Sequence, residues 1–128
     1  MTLTQHFSLF EFLCKCGCVA PPEVMRRIPP LAQALEVLRA EVQAPVQIIS
    51  GYRCVPHNRK VGGAPNSRHT WGDAVDVQVE GWGGKDLRDL VERLIATKRM
   101  PNGGLGTYAR KPLTLHFDLR GIAARWHH

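Results

Sequence analysis

The sequence contains no apolar run that approaches the roughly 18–20 residues needed to cross a bilayer, so we predict no membrane span. Residues 1–6 lack the basic segment and the long apolar stretch of a Sec signal peptide, and we expect synthesis in the cytoplasm without one. Repeats and low-complexity tracts are also absent. An apolar content of 44% and a charged content of 22% exclude disorder and collagen-like structure. We expect residues 1–128 to form a single domain.

Acidic residues are scarce relative to basic ones: 11 Asp and Glu stand against 17 Lys and Arg, a formal net charge of +6. A basic domain is attracted to nucleic acid, anionic lipid or an anionic cell wall, although a generally cationic surface gives the same count. The chain has no recognised nucleic-acid motif and no interleaving of aromatic and basic residues. We therefore expect no nucleic-acid partner.

The four cysteines are unevenly distributed: Cys14, Cys16 and Cys18 form a C-x-C-x-C run, and Cys54 lies far along the chain. Structural zinc sites usually take cysteine pairs spaced C-x2-4-C, and this run is tighter, although two of its thiolates and Cys54 could share a metal. A reducing compartment disfavours disulfides. Free thiols, a disulfide and a second metal site all stay open, and we assign the cysteines no function.

Hydrophobic periodicity and turn residues predict the secondary structure. Ser8, with Glu11 three residues later, predicts a capped short helix or turn within 7–12. Further along we predict a helix over 31–43 after Pro29 and Pro30, a strand over 46–50, and a surface loop over 51–67 with room for a helical turn. After this loop we predict a strand over 74–79, a helix bearing Leu87, Leu90, Val91, Leu94 and Ile95, a turn over 101–104 and a strand over 113–120. This order predicts an α+β fold, a small antiparallel sheet flanked by helices. We expect His127 and His128 to be a frayed tail or a tag remnant rather than metal ligands.

Polar residues occupy one face of each of two predicted strands: Asp76 on the first, and His116 with Asp118 on the second. His69 ends the preceding loop, seven residues before Asp76. Two imidazoles, one carboxylate and an open position form a common catalytic zinc set, which generates a nucleophile from water at neutral pH. Asp118 is then a candidate general base. The alternative is a loop histidine beside a solvated strand carboxylate.

The ten residues 67–76 read S-R-H-T-W-G-D-A-V-D and fit the motif S-x-H-x-x-G-x-A-x-D. This motif resembles that of the zinc D-Ala-D-Ala carboxypeptidase family, which includes phage endolysins and related murein endopeptidases. Four further segments resemble the family, so that the resemblance covers nearly the whole chain: F-S-x-x-E-F at 7–12, S-G-Y-R within 49–53, N-x-x-V-G-G-A at 58–64 and H-x-D-x-R-G within 115–121.

The resemblance implies Zn2+ as cofactor, with His69, Asp76 and His116 as its ligands, and a hedgehog/DD-peptidase-like zinc fold. Two His and one carboxylate would also accept other first-row metals. The resemblance further implies that Arg53 lies at the substrate cleft, where a planar bidentate donor suits a peptide carboxylate or carbonyl. Ser67 is expected either to bind substrate or to cap the following turn. Trp71 and Trp126 are expected either to line the cleft or to lie in the core.

One departure concerns the catalytic acid. Many relatives carry E-x-x-H or D-x-x-H before the last zinc histidine, and here that acidic position is Leu113. Asp118 is our candidate general base, and its rival role is to accept a hydrogen bond from a ligand histidine. Asp73 is a weaker candidate for the base.

These observations predict a monomeric zinc metallopeptidase that hydrolyses peptidoglycan stem peptides or cross-links as a D,D-carboxypeptidase or an endopeptidase. Such an enzyme, for example a phage endolysin, acts on the periplasmic or extracellular cell wall. Hedgehog signalling domains share the zinc-site architecture, and some use it for binding and stability. The alternative is therefore a non-catalytic zinc module of the same fold that binds a cell-wall or peptide ligand.

Overall fold

The computed structural model describes residues 2–128. In chain order the elements are a 3₁₀ helix at Leu9–Phe12, helix α1 at Pro22–Val42, strand β1 at Gln47–Ser50, helix α2 at Val55–Lys60, a 3₁₀ helix at Arg68–Trp71, strand β2 at Ala74–Gln78, helix α3 at Gly84–Ala96, strand β3 at Gly104–Tyr108, strand β4 at Lys111–Asp118 and strand β5 at Ala124–His127. The predicted α+β class is confirmed.

The five strands form one sheet in the order β1-β2-β4-β3-β5. Three neighbouring pairs are antiparallel as predicted, whereas β5 runs parallel to β3. Strand β4 runs antiparallel to β3, and the chain reverses direction again after β4. Strand β5 therefore runs in the same direction as β3. The predicted small antiparallel sheet thus holds for three of the four strand pairs, and the β3–β5 pair at this edge is parallel.

Two strands were missed by the periodicity argument. Strand β3 begins at Gly104, inside the predicted turn, and its two glycines give it a low β-propensity. Strand β5 includes His127, which was expected in a frayed tail, and the backbone N–H of His128 donates to Thr107 over 2.9 Å. The tail expectation was wrong because pairing with β3 supplies hydrogen bonds that no local pattern in the sequence indicates.

Helix α1 begins nine residues earlier than predicted, and Pro29 and Pro30 lie inside it. A proline in a helix interior removes a backbone hydrogen bond and costs about 3 kcal/mol, which is why the pair indicated a boundary. The apolar face nevertheless continues across the pair, since Val24, Ile28 and Leu31 are all buried. Burial of this face offsets the lost hydrogen bonds, so the helix continues.

The core lies between the helices and one face of the sheet. It includes Ile28 and Leu35 of α1, Leu87 of α3, Val75 of β2 and Phe117 of β4, all fully or almost fully buried. The alternation along β2 and β4 therefore directs their polar residues to the opposite face, as predicted. Over the described residues, no helix combines the length and the apolar character required to cross a membrane.

Candidate metal centre

The register of the sheet brings two of the three predicted ligands together. Asp76 of β2 lies directly opposite His116 of β4, on the face that points away from the core. His69 comes from the 3₁₀ helix at Arg68–Trp71, whose start is capped by Ser67: the Ser67 Oγ accepts from the backbone N–H of His69 over 3.2 Å. One of the two predicted roles of Ser67, the cap, is therefore seen.

The three ligand groups have the spacing of a metal site. Asp76 Oδ1 lies 3.4 Å from His69 Nε2 and 3.3 Å from His116 Nδ1, and all three residues are buried. In a tetrahedral zinc site with bonds of about 2.0–2.1 Å, neighbouring ligand atoms are about 3.3–3.4 Å apart. His69 Nε2 has no hydrogen-bond partner among the described residues, although it is buried. A buried, unpaired imidazole nitrogen at this spacing fits a zinc ligand.

The remaining ring nitrogens are held by acceptors that determine the tautomers. His69 Nδ1–H donates to the carbonyl oxygen of Gly51 over 2.8 Å, and His116 Nε2–H donates to Asp118 Oδ2 over 2.8 Å. Because a carbonyl and a carboxylate only accept, the proton must lie on these nitrogens. The lone pairs of His69 Nε2 and His116 Nδ1 are thus directed to the metal centre, and such partners orient the ligands of metal sites.

Asp118 is fully buried and saturated with donors. Its oxygens accept from His116, from the backbone N–H of Gly104 over 2.9 Å, and from the backbone and guanidinium of Arg120. Burial opposes the charged form, but the hydrogen bonds from His116 and Arg120 outweigh it and hold the pKa of Asp118 far below its usual range. This environment favours the hydrogen-bonding role of Asp118 over that of a general base.

Asp76 and His116 shift each other's pKa values. Burial opposes ionisation of Asp76, but the adjacent imidazoles of His116 and His69 outweigh it and lower the pKa of Asp76. Burial likewise opposes the charged form of His116, but Asp118 and Asp76 raise its pKa above the usual value. The Tyr108 hydroxyl donates to Asp76 Oδ1 over 3.3 Å, and burial together with the Asp76 charge raises the pKa of Tyr108. No sequence pattern indicated Tyr108.

An open cleft adjoins the metal centre, and Arg53 is one of the residues that line it. The backbone N–H of Arg53 donates to the carbonyl of His69 over 2.9 Å, and its buried Nε has no hydrogen-bond partner among residues 2–128. Ser67 also lines the cleft. The further lining side chains of interest are Arg68, Tyr108, Lys111, Arg120, Trp126 and His128.

The two candidate tryptophans lie in different places. Trp126 lines the cleft, and its ring centroid is 4.8 Å from that of His116. Trp71 is half-exposed and, within the described part of the chain, does not line the cleft: its ring lies beneath the guanidinium groups of Arg68 and Arg27, 4.3 and 5.5 Å from its centroid. The cleft geometry therefore supports the cleft-lining role for Trp126, whereas Trp71 makes cation–π contacts with arginine side chains.

Asp73 and Gly72, two other residues of the 67–76 motif, have structural partners. Asp73 is buried and accepts from Arg68, so its carboxylate is engaged outside the metal centre. Gly72 has a φ of +85°, and a Cβ there would lie 2.6 Å from Val24 Cγ1 of helix α1. The absence of a side chain at Gly72 thus leaves room for helix α1. Leu113, at the position of the missing acid, is exposed on the opposite face of β4.

Comparison with known proteins gives two matches. A family model described as Peptidase M15, whose members are zinc-dependent, matches residues 5–118. The peptidoglycan L,D-endopeptidase MepK of Escherichia coli strain K12, and the protein of the same name in Shigella flexneri, are each 37% identical to the chain over 87 residues. Each match covers 64% of the chain and 43% of the relative, so the alignment spans less than half the length of these curated relatives. Since the family model matches most of the sequence, including all three ligand residues, the chain belongs to the peptidase M15 family.

Proposed function

We propose that this protein is a zinc-dependent peptidase that hydrolyses peptidoglycan stem peptides or their cross-links. The observation that carries the proposal is the buried group of His69, Asp76 and His116, with ligand atoms at zinc spacing beside an open cleft. Two imidazoles and one carboxylate leave a fourth position open, as in catalytic zinc sites. When bound, the zinc supplies Lewis acidity towards a carbonyl group and lowers the pKa of water.

Each residue around the site has its own proposed task. The Gly51 carbonyl and the Asp118 carboxylate hold the two histidine tautomers, which makes Asp118 a positioning residue. Arg53 binds a carboxylate or carbonyl of the peptide through a guanidinium whose Nε has no partner among the described residues. The Tyr108 hydroxyl, at the edge of the same cleft, exchanges its hydrogen bond to Asp76 for one to a developing oxyanion.

The charge of the cleft supports an anionic peptide substrate. Arg53 and Lys111 line it and form no ion pair with a carboxylate among residues 2–128, whereas Arg68 and Arg120 are paired. With the net charge of +6, this arrangement favours approach to the carboxylate-rich cell wall. The name of the Escherichia coli relative supports an endopeptidase that cuts an L,D bond. A D,D-carboxypeptidase and a phage endolysin are narrower versions of the same proposal.

The experiment is digestion of purified peptidoglycan sacculi, with the released muropeptides identified by mass spectrometry. We expect new fragments from the wild-type chain and none from His116→Ala, because that variant loses a ligand. Arg110→Ala, an exposed residue in the turn between β3 and β4, is the matched control and should leave the fragments unchanged. The fragment masses identify the bond: loss of a terminal D-Ala indicates a carboxypeptidase, and separated cross-linked peptides indicate an endopeptidase.

One observation favours a second candidate, a zinc module that binds a cell-wall or peptide ligand without hydrolysis. Among the described residues that line the cleft, Asp76 is the only carboxylate, and Leu113 replaces the usual acid. This candidate predicts that the wild-type chain binds stoichiometric zinc and co-sediments with sacculi but releases no fragment. Fragment release that requires His116 would exclude it.

A further inference from the structure

The four cysteine thiols meet at one point that extends from the buried Cys14 to the exposed Cys16, and they form a group separate from the metal centre of His69, Asp76 and His116. Their sulfurs all lie within 4.8 Å of one another. Cys14 Sγ is 3.3 Å from Cys16 Sγ and 3.8 Å from Cys54 Sγ, and Cys16 Sγ is 3.6 Å from Cys54 Sγ. Cys18 completes the group. The structure thus brings together two segments about 40 residues apart.

The sulfur–sulfur distances are close to those of a tetrahedral zinc site with four thiolate ligands. In a tetrahedral site with Zn–S bonds of about 2.3 Å, neighbouring sulfurs lie about 3.8 Å apart. A disulfide has an S–S distance of about 2.05 Å, and a single disulfide would join only two of the four. A group in which four sulfurs all lie within 4.8 Å of one another is instead typical of the Cys₄ set of structural zinc sites.

The backbone explains how a C-x-C-x-C run can surround one point. Gly17 has a φ of +84°, and its N–H donates to the carbonyl of Cys14 over 3.1 Å, which closes a tight turn. Glycine adopts this left-handed conformation without a steric penalty. The turn directs Cys14, Cys16 and Cys18 to the same side. The first and third cysteine are also spaced C-x3-C, within the range that zinc sites use.

Other contacts hold the two segments in register. The Lys15 ammonium donates to the carbonyl of Ile49 over 2.5 Å, and the backbone N–H of Tyr52 donates to the carbonyl of Phe12 over 2.8 Å. A Cβ at Gly51 would lie 2.6 Å from the Phe12 carbonyl oxygen, so the backbones approach closely. Cys54 follows directly, as the residue before helix α2. These contacts therefore hold the two segments that carry the four cysteines close together without a metal ion.

We propose that Cys14, Cys16, Cys18 and Cys54 bind a second zinc ion as a four-thiolate structural site. Four S–H bonds are lost and four Zn–S bonds form, with release of four protons to solvent, and no oxidant or reductant is required. Because all four ligand positions are protein thiolates, the site has no open position for water and is structural.

The thiolate site supports the three-ligand metal centre through one short segment. Gly51, three residues before Cys54, accepts the hydrogen bond that fixes the His69 tautomer, and Arg53 donates its backbone N–H to His69. A zinc ion that joins Cys54 to the 14–18 turn therefore restrains the chain beside the substrate cleft. Loss of this zinc is expected to loosen both Arg53 and His69.

The test counts metal in the purified full chain by mass spectrometry of the elements, with no chelator present. We expect two zinc ions in the wild type, one in His116→Ala and one in Cys16→Ser. Val19→Ser, an exposed neighbour of the turn, is the matched control and should keep two. Cobalt substitution of His116→Ala should then give thiolate-to-cobalt charge-transfer absorption, which a site of histidine and aspartate does not produce.

The His116→Ala measurement keeps the proposal falsifiable even if the cysteine variants do not fold. One zinc ion in the wild type and none in His116→Ala, with four thiols that react at once with a thiol reagent, would overturn it. A disulfide detected by mass spectrometry of the unreduced wild-type chain would also overturn it. Neither result depends on hydrolysis of peptidoglycan, so this proposal and the proposed function can fail separately.

Discussion

His116 and Asp118 form a buried pair in which the Nε2–H of the imidazole donates to Oδ2 of the carboxylate over 2.8 Å. Two residues apart on strand β4, they point to the same face, and the bond leaves His116 Nδ1 directed at Asp76. The histidine therefore presents a defined lone pair to the metal centre. Residues in such positions usually contribute about 10–100-fold to metal affinity or activity.

Replacement of Asp118 by Asn distinguishes a role as the hydrogen-bond acceptor that orients His116 from a role as the general base. As a positioning residue, Asp118→Asn should weaken zinc binding about 10–100-fold and retain measurable hydrolysis when zinc is saturating. The measurement is zinc affinity by competition with a chromophoric chelator, followed by rates at saturating zinc. Asp89→Asn, on the exposed side of α3, is the control. Unchanged zinc affinity with complete loss of turnover would instead identify Asp118 as the general base.

Arg53→Ala should weaken substrate recognition without loss of metal. The guanidinium lines the cleft, whereas only the backbone N–H of Arg53 contacts His69, and that hydrogen bond survives the substitution. Loss of a hydrogen bond to a charged group costs about 1.5–3 kcal/mol, which corresponds to about 10–100-fold in kcat/KM. Kinetics on a purified muropeptide measure this effect, with exposed Arg59→Ala as control. A loss of zinc from Arg53→Ala would show that its role is structural.

Gly106→Ala should displace Trp126 from the metal centre. A Cβ at Gly106 would lie 2.1 Å from Trp126 Cε2, and the indole lies 4.8 Å from the His116 ring. Overpacking of this kind typically costs about 1–3 kcal/mol of stability. Urea unfolding measures that loss, and the double variant Gly106→Ala/Trp126→Leu should recover part of it because the obstructing ring is gone. Equal losses in the single and the double variant would contradict the contact.

Acid should weaken the attachment of the N-terminal segment to helix α1. The backbone N–H and the ring Nδ1 of His6 each lie 2.7 Å from a Glu36 oxygen. Burial opposes ionisation of Glu36, but the bonds from His6 help to outweigh it, and the pKa of Glu36 is lowered. A lowered folded-state pKa contributes stability above the unfolded value of about 4.3, and this contribution is lost as the pH falls through the folded pKa.

Glu36→Gln should therefore be less stable than the wild type at neutral pH, by about 1 kcal/mol, and the difference should shrink below about pH 4. Urea unfolding at a series of pH values measures both curves. Glu80→Gln, an exposed residue after β2, should follow the wild type at every pH. A stability difference for Glu36→Gln that is constant across the acid range would contradict the assignment to the ionised carboxylate.

Much of the metal centre could be predicted from the sequence because its determinants are local. Strict alternation along β2 and β4 directs Asp76 and His116 away from the buried Val75 and Phe117, whatever the rest of the fold does. The Ser67 cap and the motif around His69 are likewise short-range features. Helix α3 followed from its apolar period, and the α+β class followed from the order of elements.

The tertiary structure decided whatever depends on residues distant in the chain. The pairing of β5 with β3, the continuation of α1 through Pro29 and Pro30, and the position of Trp126 over His116 arise from contacts that no local pattern encodes. The same holds for the donors that saturate Asp118 and for the approach of Cys54 to the 14–18 turn. Periodicity determines which face a side chain occupies, whereas packing and strand register determine which partner it meets there.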